Sequence, residues 1–284
     1  LLSANILKNA MGVGIPGTGM VGLPIAIALG TLIGKSSYEL EVLRDITPEA
    51  LQAGKAMIDE KIIHIALKEN VDKLYIEVIC TAGDQTSRVI ICHEHTHIIY
   101  VEKNGEVLTD LRQSDATDDK PCGGDELKLS FSTVYEFAME MPLDDIRFIL
   151  ETADLNKKAA QASIQGHYGH TVSKTVSGEY GKKYMGDSAY THMLVMTAAA
   201  CDARMDGAMI PVMSNSGSGN QGITTSVPVI VYARELGVSD ETLLRALTLS
   251  NLTTIHEKTP IGRLSAYCGA ISAGAGAGAG IAYL

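Results

Sequence analysis

The sequence predicts an α+β fold, in which a mostly helical domain carries a small β-rich unit of antiparallel hairpins inserted in its sequence. Helical spacing of apolar residues is found on both sides of residues 61–112, which are instead rich in β-branched residues. An Asn-Gly pair at 104–105 separates two of the β-branched runs and indicates a hairpin turn. We therefore predict one helical domain from residues 1–60 and 131–284, with a β-rich unit over 61–130.

Individual residues mark the helix boundaries. Thr47 precedes Pro and Glu, the order expected of an N-cap followed by the first helical turn. Pro24 begins an apolar stretch over residues 25–33, which predicts a second helix. Ser132 is predicted as an N-cap, and Pro142 separates the helix that follows from the next one.

Strands are predicted in the β-branched runs, and an exposed loop is predicted for the polar, acidic residues 110–125. The runs are residues 61–67, 73–80, 88–102 and 106–111.

Composition and charge exclude several classes of protein. The chain has 284 residues, of which 46% are hydrophobic, so intrinsic disorder is excluded. The net charge of -10 provides no basic surface for nucleic acid. Five cysteines without regular spacing or a signal peptide are typical of a reduced, cytoplasmic protein. The sequence begins without a Met and ends inside a Gly/Ala run that no helix-stop signal follows. We therefore expect it to be a fragment of a longer chain.

The uncharged run at residues 266–284 is rich in Gly and Ala and permits three interpretations. A buried helix with close backbone approach is favoured over a membrane span and over a silk-like sheet. Gly and Ala supply little of the transfer energy that holds a span of ~20 residues in a bilayer. We therefore expect no association with a membrane.

Residues 17–22 match the dinucleotide-binding pattern Gly-x-Gly-x-x-Gly, with Glu39 near the expected ribose-binding distance. A nucleotide site would need a buried strand directly before the motif, but Pro16 occupies that position. A tight loop is therefore favoured.

His93, His95 and His97 alternate along a predicted strand, so their side chains would point to one face. Such a face can bind a metal ion, or it can be the polar outer face of a hairpin. The second interpretation is favoured.

A run of small and amide residues lies between two apolar segments and precedes a predicted helix. Backbone N–H groups without bulky side chains at a helix N-terminus bind phosphate or carboxylate, so a small-anion site is favoured over a flexible linker. The predicted substrate-binding residues of this run are Ser214, Asn215, Ser216, Gly217, Ser218, Gly219, Asn220 and Gln221.

Asp202 and Arg204 interrupt an apolar helix shortly before that run. Charges in such surroundings are paired or functional, so we include both residues among the substrate-binding candidates. Cys268 precedes the C-terminal Gly/Ala run, where a cysteine alone is most often a small buried hydrophobe.

Three motifs together resemble the L-cysteine desulfidase family, which is related to the alpha chain of iron–sulfur L-serine dehydratases. They are residues 14–20, residues 214–222 and the segment Gly-Arg-Leu-Ser-Ala-Tyr-Cys-Gly at 262–269. The resemblance extends over essentially the whole chain. It implies that the helical domain is of catalytic type and that the substrate is a small amino acid.

The resemblance also implies an activity and a cofactor. Members of the family convert L-cysteine to pyruvate, ammonia and sulfide with an oxygen-sensitive 4Fe–4S cluster, which aerobic structures can lack. Cys268 matches one cluster ligand, whereas the motifs for the other two ligands and for the cysteine proposed as base are not in this sequence. The catalytic base is therefore unknown here. An L-serine dehydratase-like deaminase and a non-catalytic small-molecule-binding relative remain the alternatives, and a homo-oligomer is possible.

Overall fold

The computed structural model describes residues 1–112, 129–262, 264–265 and 267–284. Most of the loop predicted for residues 110–125, and two residues of the motif at 262–269, lie outside the described residues. The fold is α+β, as predicted, and its contacts divide the chain into two compact units, Leu1–Leu127 and Lys128–Leu284.

The first unit begins with three helices and a short ribbon: α1 (Ala4–Ala10), β1 (Gly14–Ile15), β2 (Met20–Val21), α2 (Leu23–Ile33) and α3 (Pro48–Asp59). Thr47 caps α3 through its side-chain oxygen, as predicted. The Gly-x-Gly-x-x-Gly motif forms the turn of the antiparallel ribbon β1–β2. Because a dinucleotide site needs parallel strands joined by a helix, this geometry agrees with a tight loop.

A four-stranded antiparallel sheet completes the first unit, in the order β3 (Tyr75–Ala82), β4 (Gln85–Cys92), β5 (Ile98–Lys103) and β6 (Glu106–Asp110). Asn104 and Gly105 both have left-handed φ angles, 51° and 83°, which form the predicted two-residue hairpin turn. The strand predicted for residues 61–67 is wrong. This segment forms only an isolated bridge, from Leu67 to Leu2. A ladder did not form because Leu2 is a single paired residue and a ladder needs a longer partner strand.

Leu2 also bridges Ile76 of β3, which ties the chain's first residues to the sheet. The contacts therefore place the N-terminal helices and the sheet in the same compact unit. The assignment of residues 1–60 to the helical catalytic-type domain stays a prediction.

The second unit is built of helices joined by loops and turns in its described residues. Its helices are α4 (Phe131–Glu140), α5 (Leu143–Ile146), α6 (Glu151–Gln165), α7 (Val172–Ser177), α8 (Glu179–Met185), α9 (Ala189–Met205), α10 (Gly219–Leu236), α11 (Asp240–Lys258) and α12 (Gly269–Tyr283). Pro142 separates α4 from α5 as predicted. The cap of α4 is Ser130 rather than Ser132, because Ser130 and Thr133 form a reciprocal capping box.

The Gly/Ala run forms the buried helix α12, whose buried residues are Ala273, Gly276, Ala277 and Gly280. Their spacing of three and four residues makes one continuous face. A Cβ on Gly276 would lie 2.0 Å from Thr254 Oγ1 of α11, so the glycine permits close helix packing. Among the described residues, no helix is both long and apolar enough to cross a bilayer.

Candidate functional site

The small-residue run folds as a tight turn followed directly by α10. Asn215 and Ser218 exchange two backbone hydrogen bonds of 3.1 and 3.0 Å across the turn. The two residues between them, Ser216 and Gly217, have left-handed φ angles of 49° and 80°. Such a turn favours glycine at its second position. The predicted loop is thus shorter than expected, since the helix begins at Gly219 within it.

Ser218 begins the helix because its side chain accepts a hydrogen bond from the backbone N–H of Gln221, at 3.3 Å. The N–H groups of the first turn of a helix have no partner within the helix. Ser218 accepts a hydrogen bond from one of these N–H groups, that of Gln221. The N–H groups of Gly219 and Asn220 belong to the same first turn.

A network of buried amide side chains holds the turn. Asn215 Oδ1 accepts hydrogen bonds from Gln221 Nε2 at 2.8 Å and from Ser216 Oγ at 3.0 Å. Asn215 Nδ2 donates to Asn251 Oδ1 of α11 at 3.0 Å. Asn215 and Gln221, both predicted to bind substrate, therefore have structural partners that fix the turn against α11.

Gln221 also connects the turn to the start of α12. Its Oε1 is buried and has no hydrogen-bond partner among the residues that the structure describes. It faces Gly269, where a Cβ would lie only 2.3 Å from it. The segment around Cys268 thus lies next to the turn, although 47 positions separate Gln221 and Cys268 in the sequence (268 − 221).

Arg204 lies against the same first turn of α10. Its Nη1 donates to Asn220 Oδ1 at 3.2 Å. A Cβ on Gly219 would lie 2.2 Å from Arg204 Nε, so glycine is needed for this approach. Burial lowers the pKa of Arg204. No carboxylate of the described residues forms an ion pair with its guanidinium within 4.0 Å.

Asp202, two residues away, has different surroundings. Its carboxylate accepts hydrogen bonds from the backbone N–H groups of His170 at 3.2 Å and Val172 at 3.1 Å. These bonds cap α7, whose own N-cap residue, Thr171, makes no side-chain cap bond. The structure thus gives Asp202 a structural partner, which no local signal in the sequence identifies. Its role in binding substrate stays a prediction.

Two thiols complete the region. Cys268 is exposed and forms the N-cap of the 15-residue helix α12. Cys201 is half-buried in α9, and burial raises its pKa to about 11, with a smaller contribution from the nearby Cys268. The exposed Cys268 is therefore accessible as a ligand of an iron–sulfur cluster, whereas Cys201 is a neutral thiol. Sequence reasoning did not single out Cys201 as a neighbour of Cys268.

His93, His95 and His97 do not lie on a strand. They form the turn between β4, which ends at Cys92, and β5, which begins at Ile98. His93 adopts a left-handed φ of 66°, which ends the ladder and removes the alternation that predicted a common face.

The fold and site define an α+β protein in whose helical unit a tight turn, a half-buried arginine and an exposed thiol lie close together. The serine dehydratase alpha chain family matches residues 37–284. The chain belongs to this family.

The chain is also similar over its whole length to UPF0597 proteins. It is 71% identical to one from Parabacteroides distasonis, 57% to one from Bacteroides thetaiotaomicron and 50% to one from Porphyromonas gingivalis. It spans 66% of the length of each of these relatives. No solved structure matches the chain.

Proposed function

We propose that this chain is part of an iron–sulfur-dependent lyase that catalyses the α,β-elimination of L-cysteine. Hydrogen sulfide leaves from Cβ as the Cα proton is removed, and hydrolysis of the resulting enamine gives pyruvate and ammonia. The observation that carries the proposal is Arg204 of α9, a half-buried cation that contacts the first turn of α10 and has no carboxylate partner among the described residues. A buried cation is costly unless it is paired, which favours an anionic ligand at this position.

In this proposal the substrate carboxylate binds between the Arg204 guanidinium and the N–H groups of Gly219 and Asn220. Asn220 Oδ1 holds the guanidinium in place. The glycines at 217 and 219 keep side chains out of this approach. Fixing the carboxylate in this way orients the Cα–H bond toward the base, whose identity stays open.

Cys268 would provide one thiolate to a 4Fe–4S cluster. When bound, such a cluster supplies a Lewis acid that stabilises the departing sulfur or oxygen. The packing of Gly269 against Gln221 fixes the position of Cys268 relative to the turn that binds the carboxylate. The family description favours L-serine as a second candidate substrate, with water as the leaving group.

The test uses the full-length protein purified without oxygen. We expect the wild-type protein to be brown. The visible absorbance should be lost in Cys268→Ala and kept in Cys80→Ala, which removes a thiol of strand β3. Pyruvate release from L-cysteine and from L-serine identifies the substrate. A colourless protein after cluster reconstitution under strict anaerobiosis contradicts the lyase proposal, and a coloured protein inactive on both amino acids favours the binding-protein alternative.

A second variant tests the carboxylate site. Arg204→Met should raise the KM for the amino acid by about 10- to 150-fold, because a hydrogen bond to a charged group contributes about 1.5–3 kcal/mol. The cluster absorbance should not change. Arg147→Met is the control, since Arg147 is an exposed arginine that pairs with Asp144. An unchanged KM in Arg204→Met would show that the arginine does not bind the substrate.

A further inference from the structure

Three metal-binding side chains converge where β4 ends, in the unit that does not contain Arg204. The thiol of Cys92 donates a hydrogen bond to Asp72 Oδ2 at 3.2 Å. His93 Nδ1 lies 3.8 Å from the same carboxylate oxygen. One ligand atom from each residue lies within 4.8 Å of the other two.

The backbone explains how two consecutive residues can present their side chains to the same point. Along a regular strand, Cys92 and His93 would point to opposite faces of the sheet. The left-handed φ of 66° at His93 breaks this alternation. The N–H of His93 donates to the carbonyl of Leu74 at 3.2 Å, which holds the turn beside the segment that carries Asp72.

The spacing of the ligand atoms suits a tetrahedral ion. Metal–ligand bonds of about 2.0–2.3 Å at tetrahedral angles place neighbouring ligand atoms about 3.3–3.8 Å apart. The distances of 3.2 and 3.8 Å bracket that range. The thiol and the imidazole nitrogen lie within 4.8 Å of each other, so a side-chain movement of about 1 Å would bring the three atoms around one ion.

The chemistry of the ligand atoms selects the kind of ion. One thiolate, one imidazole and one carboxylate form a mixed soft and hard set, which favours Zn²⁺ over Mg²⁺ or Ca²⁺. Cys92 is 3% exposed and forms the inner side of the group. The side chains of His93 and Asp72 are 43% and 59% exposed, so the outer side is open to a water molecule.

We propose that Asp72, Cys92 and His93 form a Zn²⁺ site with a water molecule as fourth ligand. On binding, the Cys92 thiol loses its proton to solvent, and the thiolate replaces its hydrogen bond to Asp72 with a bond to the metal. The ion would tie the β4–β5 turn to the segment before β3. This site is independent of the proposed lyase activity.

The experiment uses Co²⁺ as a spectroscopic probe for Zn²⁺ in the full-length protein carrying Cys268→Ala, which removes the proposed cluster absorbance. We expect a thiolate-to-cobalt band in the near ultraviolet and tetrahedral bands in the visible, both abolished by an equimolar amount of Zn²⁺. The thiolate band should disappear in Cys92→Ser and persist in Cys80→Ser.

Exposed ligands provide variants that leave the core intact. His93→Gln and Asp72→Asn should each weaken Co²⁺ binding at least about tenfold, whereas His95→Gln in the same turn should not. Zn²⁺ should raise the Tm of the parent protein and have little effect on these two variants. Absence of a thiolate band, or equal binding by all the variants, would overturn the proposal.

Discussion

Gln221 lies so close to Gly269 that a Cβ on residue 269 would be 2.3 Å from Gln221 Oε1. This contact joins the turn that carries the proposed carboxylate site to the helix that carries Cys268. Because Gln221 is fully buried and bonded to Asn215, it cannot move aside freely.

Gly269→Ala should displace Gln221 and break its hydrogen bond to Asn215. We expect a loss of about 1–3 kcal/mol in the free energy of unfolding, as for overpacking in a core, together with reduced activity. Gly274→Ala is the matched control in the same helix, because a Cβ there meets nothing within 4 Å. It should stabilise the helix by about 0.5–1 kcal/mol. Equal stability changes in chemical denaturation would contradict the close contact.

Gly217→Val should abolish turnover while leaving the fold and the cluster absorbance intact. A Cβ at this position meets nothing within 4 Å, so the stability cost comes from the left-handed φ of 80° alone. We expect about 1–2 kcal/mol. Gly83→Val, at a glycine with φ of 58° in the β3–β4 turn, should have a similar cost and keep full activity. Unchanged turnover in Gly217→Val would show that the turn does not contact the substrate.

Gly276→Ala should loosen the packing of α12 on α11. The added methyl would lie 2.0 Å from Thr254 Oγ1 and 2.4 Å from the carbonyl oxygen of Ser250, and this backbone atom cannot yield as a side chain can. We expect a loss of at least about 1–3 kcal/mol in unfolding free energy. Gly278→Ala, two residues along the helix, meets nothing within 4 Å and serves as the control. If both variants unfold at the same denaturant concentration, the packing face has been assigned incorrectly.

His192 links α9 to α10 and makes stability depend on pH. Hydrogen bonds to Glu235 and, at 2.6 Å, to Asp187 raise its pKa above the ordinary value of 6.5. The folded state then binds the proton more tightly than the unfolded state. The contribution is therefore complete below about pH 6.5 and is lost as pH rises through the folded pKa. The Tm difference between wild type and His192→Gln should be largest in mild acid and shrink in mild alkali. A difference that does not vary with pH would exclude this linkage.

Signals that depend on consecutive residues predicted much of the fold. Thr47 capped α3 and the Asn-Gly pair at 104–105 made the hairpin turn, because each structure uses only a few neighbouring residues. The motifs also indicated a relation to the serine dehydratase alpha chain, which the family match confirms, whereas the L-cysteine desulfidase assignment stays a prediction. The strand predicted for residues 61–67 failed because a strand needs a partner, and β-branched composition does not supply one.

The sequence by itself determined the α+β class, the run of small residues at 214–222 and the presence of Cys268. Only the tertiary structure decided that Asp202 caps α7, that Arg204 lies on the first turn of α10, and that Gln221 meets Gly269. These contacts join residues that are 16 to 48 positions apart, as the pairs 204–220 and 221–269 show. Local propensity does not encode such contacts, because they depend on how close the small residues of neighbouring helices allow the backbones to come.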